Sequence, residues 1–192
     1  CDSLGLRSED YKAEKMVSNP EGIFSGMTEH LVDEQIIDSF YSGDEIYLDK
    51  DEVELYPNQF VMLISNSNER KTALAKFVNA FTPLRQVKEH KRGIWGVNPR
   101  NKEQMFALDL LMDPKIALVT LVGRAGSGKT LLALAAALEQ TFSTGVEYKK
   151  IVVTKPVQPV GKDIGFLPGT MQEKMMPWLA PIRDNLEFLM NG

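Results

Sequence analysis

Apolar and polar positions along the chain change rhythm once, near residue 93. Between Ile23 and Val87 the apolar stretches are short: Ile46 to Leu48, Phe60 to Ile64 and Ala73 to Phe77. Turn-forming clusters such as Tyr41-Ser42-Gly43-Asp44 and Ser65-Asn66-Ser67-Asn68 separate them. Runs of this length between such clusters predict β-strands, and the cluster flanked by the last two runs predicts a β-hairpin over Phe60 to Val78. A small all-β module is expected over residues 22–92, behind a polar tail, residues 1–21, that ends around Asn19-Pro20 and carries too little apolar surface to form a core.

From Gly93 the periods lengthen. After the turn Asn98-Pro99-Arg100-Asn101, the residues Met105, Leu108, Leu111 and Met112 recur at helical spacing until Asp113-Pro114 stops them. Ile116 to Val122 is a nearly unbroken apolar run, the pattern of a strand buried on both faces of a parallel sheet. Leu131 to Leu138 is apolar almost all round, which predicts a helix packed inside a larger body. Lys149-Lys150 then leads into Ile151 to Thr154, a second expected strand. Strand, helix and strand over 116–155 would form one right-handed crossover unit. Thr170-Met171-Gln172-Glu173 has the form of a capping box, and Met175, Met176, Trp178, Pro181, Ile182, Leu186 and Leu189 follow at largely helical spacing up to Asn191-Gly192. Such Met and aromatic stripes are core far more often than chemistry, so Trp178 is given no catalytic role.

Composition adds one distinction. With 192 residues, 43% apolar and 25% charged, the chain is of ordinary globular make-up. Cys1 is the single cysteine, and no apolar run approaches the roughly 18–20 residues of a membrane helix, so a cytoplasmic, reducing setting is expected. The net charge of -4 conceals an asymmetry: residues 1–56 hold 15 Asp and Glu against 4 Lys and Arg, whereas residues 57–192 hold 11 against 18. A basic region of this kind suits a polyanionic partner, although a solvated surface with attraction between the two halves would give the same count.

The chemistry sits between the first expected strand of the second region and its helix. Gly123-Arg124-Ala125-Gly126-Ser127-Gly128-Lys129-Thr130 matches G-x-x-x-x-G-K-[ST] at every fixed position and in the strand-to-helix context that the motif requires. Its glycines allow the backbone to wrap phosphate oxygens, with N–H groups and the helix N-terminus supplying positive potential. Lys129 is expected on the β- and γ-phosphates and the Thr130 hydroxyl on Mg²⁺. Arg124, Ala125 and Ser127 fill variable positions of the same ATP-binding loop. Gln104, about twenty residues earlier, carries an amide that can bond adenine at N6 and N7 and would meet the wrong group on guanine. An ordinary solvated glutamine would look the same in the sequence. The guanine signature Asn-Lys-x-Asp is absent, since Asn101-Lys102-Glu103-Gln104 lacks the Asp and precedes the loop.

A long loop runs from Thr154 to Gly169. Because it leaves the carboxyl end of a strand expected beside the phosphate loop, Thr154, Lys155 and Lys162 become candidates for nucleic-acid contacts, with a proline-stiffened packed excursion as the plain alternative.

Asn98-Pro99-Arg100-Asn101 with Gln104, the phosphate loop, Thr154-Lys155-Pro156, Gly161-Lys162-Asp163-Ile164-Gly165-Phe166-Leu167-Pro168-Gly169, Glu173-Lys174, Pro177-Trp178, Pro181-Ile182 and Asp184-Asn185-Leu186 together closely resemble the PhoH-like ATPases, over residues 93–190. The resemblance implies a RecA-like P-loop NTPase with a parallel sheet, present in part over 93–192, and preceded by the small β-rich module. It also implies Gln104 on adenine, Thr154 and Lys155 against single-stranded RNA, ATP and Mg²⁺ as ligands, and a homo-oligomeric ring. Many members carry Arg where this chain has Lys155, which binds phosphate as a point charge without the planar fork. Residues 1–15 resemble the end of the PIN ribonuclease domain that precedes the ATPase in one branch, although the acidic metal-binding cluster of such a domain is not in the chain. No strand ending in an Asp-Glu pair follows Thr154, and no initiator Met begins the sequence, so an internal piece of an RNA-directed ATPase or RNA helicase is expected. A P-loop kinase for a small molecule or nucleotide, and a non-catalytic ATP-dependent scaffold, remain as alternatives.

Overall fold

A computed structural model describes residues 24–48, 53–143, 148–154 and 171–191. Their elements run β1 (Met27–Val32), α1 (Glu34–Ser42), β2 (Phe60–Ser65), β3 (Thr72–Lys76), β4 (Arg85–Gln86), α2 (Lys102–Leu111), α3 (Lys129–Phe142) and α4 (Met171–Asn191). The architecture is mixed α/β, with one four-stranded sheet in the order β1-β2-β3-β4. The β2–β3 hairpin pairs antiparallel with Phe60 opposite Lys76, as the turn cluster between the two runs predicts.

The first region is not all-β. Asp33 precedes a nine-residue helix, Ile37 and Phe40 bury on one side of it, and Gly43 ends it in the left-handed conformation at φ 93°. That helix carries β1 across to pair parallel with β2, which a two-residue turn could not do. Ile46 to Leu48, expected as a strand, forms none; Ile46 and Leu48 instead pack against the sheet core, and the Ile46 carbonyl accepts from the Leu84 N–H.

Alternation along β2 and β3 produces two buried faces. Val61, Leu63, Ala73 and Ala75 meet Ile37 and Phe40 of α1, whereas Phe60 and Leu74 meet Met105, Phe106 and Leu110 of α2. The Phe60 and Phe106 rings stack with centroids 4.2 Å apart, a contact that contributes about 0.5–1.5 kcal/mol beyond the area it buries. The other side of α2 packs through Leu108 and Leu111 on α3, whose Leu132, Leu134, Ala135, Ala136 and Leu138 are buried, and Ile182, Leu186 and Leu189 of α4 close the same core. Helix α2 is thus a shared layer between the sheet and the helix that follows the phosphate loop.

The two strands expected at Ile116 to Val122 and Ile151 to Thr154 are absent, and with them the crossover unit. A doubly buried strand needs a paired neighbour on each side and covering on each face. Among the described residues nothing pairs with either segment, and Leu118, Val122 and Val152 are 84%, 70% and 71% exposed. The tail before residue 24, Lys155, the loop Gly161 to Gly169, Lys162 within it and Thr170 of the capping box lie outside the described residues.

Candidate functional site: a phosphate loop braced by helix α2

Gly128 ends the loop in the left-handed conformation at φ 87°, and the Leu132 N–H to the Gly128 carbonyl is the first helical bond of α3. Gly126, at φ 79°, makes a second left-handed bend. Side chains rarely adopt such backbone, so the glycines of the motif are a condition of its shape. The first turn of α3 carries no acidic residue, which leaves the positive end of the helix uncompensated.

The Lys129 ammonium folds back over the loop. It donates to the carbonyls of Gly123 at 2.8 Å and Arg124 at 2.7 Å and to Ser127 Oγ at 3.2 Å. A full positive charge therefore stands where the backbone curls round it, and Thr130 is exposed beside it in the first turn of α3. Arg124, Ala125 and Ser127 are exposed along the rim. At Gly123 a Cβ would approach Ser127 Oγ to 3.2 Å, so the loop closes tightly at its start.

Gln104 reaches this loop from α2. Asn101 caps that helix by accepting from the Gln104 N–H at 2.9 Å. The Gln104 amide oxygen accepts from the Arg100 N–H at 2.8 Å, and its Nε2 donates to the Ser127 carbonyl at 3.2 Å. One lone pair and one hydrogen of the amide remain, the complement of adenine N6–H and N7. The structure brings together Gly123 to Thr130 and Gln104. Thr154 is exposed at the end of the segment 148–154, and Lys155 and Lys162 are outside the described residues.

Two features escape a reading of the sequence. Asp109 of α2 is buried, its side chain 1% exposed, and binds the wholly buried Lys76 Nζ of β3 at 3.1 Å and Arg85 Nη2 of β4 at 2.7 Å. The Lys88 N–H reaches its other oxygen at 3.4 Å. Asp113 lies 3.5 Å from Lys76; burial alone would raise its carboxyl, but the Lys115 N–H and the charge and hydrogen bond of Lys76 hold it below the ordinary range. Breaking such a pair by removing one partner costs about 3–5 kcal/mol. The second feature is Trp95, whose Nε1 donates to the Leu189 carbonyl at 3.0 Å and whose N–H donates to Glu139, tying α4 and α3 together. A charged residue within the stripe of Met105 and Phe106 was the readable sign of the first; its partner, 33 residues away, carried none.

Among the described residues no cluster of three or more His, Cys, Asp or Glu side chains is placed to hold a metal ion, and no helix is long and apolar enough to cross a membrane.

A mixed α/β body with a glycine-bent phosphate loop opening a helix defines a protein of the P-loop nucleotide-binding type. The family described as PhoH-like protein matches residues 96–192, and the chain belongs to it. Protein PhoH2 of Bacillus subtilis (strain 168) is 44% identical over 193 residues, covering all of this chain and 43% of that protein. Protein PhoH2 of Mycolicibacterium smegmatis is 36% identical over 188 residues, 97% of this chain and 41% of that protein. Protein PhoH of Escherichia coli (strain K12) is 37% identical over 87 residues, 45% of this chain and 23% of its own length. The chain thus spans less than half the length of the PhoH2 relatives it matches. No solved structure matches it.

Proposed function

We propose that this chain is the ATP-binding part of an RNA-directed ATPase, with a RecA-like core to which residues beyond this chain contribute. The observation that carries the reading is the Lys129 ammonium held in the curl of the loop, with the Gln104 amide bonded to the same loop. When ATP enters, Lys129 exchanges the carbonyls of Gly123 and Arg124 for the β- and γ-phosphates, and the loop N–H groups take the remaining oxygens. Thr130 is the residue that would hold Mg²⁺, which neutralises charge on the phosphates when bound. Gln104 selects adenine. Lys155 and Lys162, with Thr154, meet the RNA backbone, and a PIN ribonuclease upstream would make the two activities sequential on one RNA.

Titration of the protein with ATP and GTP, and phosphate release measured with and without single-stranded RNA, DNA and small acceptor molecules, tests this. Preference for ATP that disappears in Gln104→Ala, with turnover raised by RNA alone, is expected. Equal affinity of the wild type for GTP would sink the adenine assignment. Transfer of phosphate to an acceptor would replace the ATPase by a kinase.

A further inference from the structure

Helix α2 has two working faces. Lys102, Met105, Phe106 and Asp109 turn to the sheet, where Lys102 Nζ lies 3.7 Å from Glu29 of β1 and 3.6 Å from Met62 Sδ of β2. Gln104, Leu108 and Leu111 turn to the phosphate loop and α3. We propose that Lys76 and Asp109 are positioning residues of the nucleotide site: their buried ion pair fixes α2 on the sheet, and α2 holds Gln104 against the phosphate loop. The proposal rests on the nucleotide-binding reading above.

The apolar contacts of α2 with the sheet, a stacked ring pair and adaptable methionines, are less directional than hydrogen bonds to a charge. The Asp109 carboxylate does not tolerate sliding of the helix. It takes directional bonds from three places, Lys76 on β3, Arg85 on β4 and the Lys88 backbone, and any slip leaves a buried charge short of donors. Asp113, just past the C-terminal end of α2, flanks Lys76 as well. Gln104 lies five residues before Asp109, roughly 7.5 Å along a rigid helix, so displacement at one end moves the other. The Gln104 amide is committed at both ends, its Nε2 donating to the Ser127 carbonyl at 3.2 Å and its oxygen accepting from the Arg100 N–H at 2.8 Å.

Lys76→Met/Asp109→Leu separates position from stability. Replacing both members of a buried pair by apolar groups costs far less than removing one, so the variant of the full chain should melt closer to the wild type than Lys76→Met alone, with Arg85 and Asp113, both partly exposed, losing a partner each. Without the directional bonds, the bonded amides of Ser127 and Leu132 should exchange hydrogen about tenfold faster in the nucleotide-free protein, and a fluorescent ATP analogue should bind about five- to tenfold more weakly. Arg85→Met, which leaves the Lys76–Asp109 pair intact and removes the 2.7 Å bond, makes the same test in a variant that keeps its buried charges matched. Wild-type exchange at the loop in both variants overturns the proposal. Exchange is read without nucleotide, so altered loop protection in a protein that binds no ATP would leave the positioning role standing and remove the nucleotide reading instead. Tight ATP binding with unaltered protection would do the reverse.

Discussion

Among the described residues the Lys129 ammonium is bonded only within its own loop, to Gly123, Arg124 and Ser127, and α3 packs through residues further along. Its removal should therefore separate binding from folding. Lys129→Ala is expected to weaken ATP binding about 10- to 100-fold, the equivalent of one or two charge-assisted hydrogen bonds, while stability stays within about 0.5 kcal/mol. Calorimetric titration beside a denaturant melt measures both, and undiminished ATP affinity would remove Lys129 from the site. The two left-handed glycines make a finer pair. A Cβ at Gly126 meets nothing within 4 Å, whereas at Gly128 it meets Gln104 Nε2. Gly126→Ala and Gly128→Ala should each lose about 1–2 kcal/mol of local conformational energy. Only Gly128→Ala should also shift the ratio of ATP to GTP affinity, because only there is the glutamine pushed. An unchanged ratio in Gly128→Ala would detach Gln104 from base selection.

Helix α1, seated through Ile37 and Phe40, also carries a solvent-exposed ion-pair cluster that responds to pH. Hydrogen bonds from Lys71, then Ser67, hold the Glu34 carboxyl below its ordinary range, and hydrogen bonds to Asp38 and Glu34 raise Lys71. Asp113 beyond α2 is likewise lowered. Depressed carboxyls stabilise the fold above their unfolded values and cease to do so as pH falls through the depressed ones; the raised Lys71 contributes at every pH below its unfolded value and fails only on the alkaline side. Stability should accordingly drop below the ordinary carboxylate range, and denaturant midpoints of Asp113→Asn should fall less steeply with acid than those of the wild type. Identical slopes would show that Asp113 is not part of the acid transition. The elements themselves were unequally legible. Phe60 to Ile64 and Ala73 to Phe77 carried the hairpin because runs and turn cluster stood side by side. The start of α3 was legible because the loop motif fixes where its helix begins. Helix α1 went unread although Asp33, Ile37, Phe40 and Gly43 mark its start, face and stop, since nine residues with paired isoleucines also fit a strand-rich stretch. Ile116 to Val122 has a strand's composition, but composition says nothing of whether neighbours are at hand to pair with it. Gln104 was legible as a residue, whereas the Asp109 junction that braces its helix depends on contacts with β3 and β4 that no local pattern encodes.

At the scale of the molecule, the charge asymmetry is not all available to a polyanion. Lys71, Lys76, Arg85, Lys102 and Arg183 belong to the basic region, yet each is engaged with a carboxylate: Lys71 with Glu34 and Asp38, Lys76 and Arg85 with Asp109, Lys102 with Glu29, Arg183 with Glu187. Counting charges therefore overstates the free charge that RNA could meet, and Lys155 and Lys162 are the cations the RNA-directed reading assigns to the phosphates. Lysines on phosphates release counterions, so RNA affinity should fall steeply with salt, and each lysine removed should lessen the log–log slope by about 0.7 for a single strand. Lys155→Glu and Lys162→Glu should weaken binding alike for all sequences, because phosphate contacts read no bases. Lys71→Glu, which removes a cation already paired within the sheet module, should leave the RNA slope unchanged. A titration of single-stranded RNA at several salt concentrations with all three variants compares them directly. If Lys71→Glu lowers the slope as much as the other two, RNA is held by the general field of the basic region and Lys155 and Lys162 have no special part in it. If only Lys155 and Lys162 matter, RNA is held through phosphate contacts at those two lysines and not by the general field of the basic region.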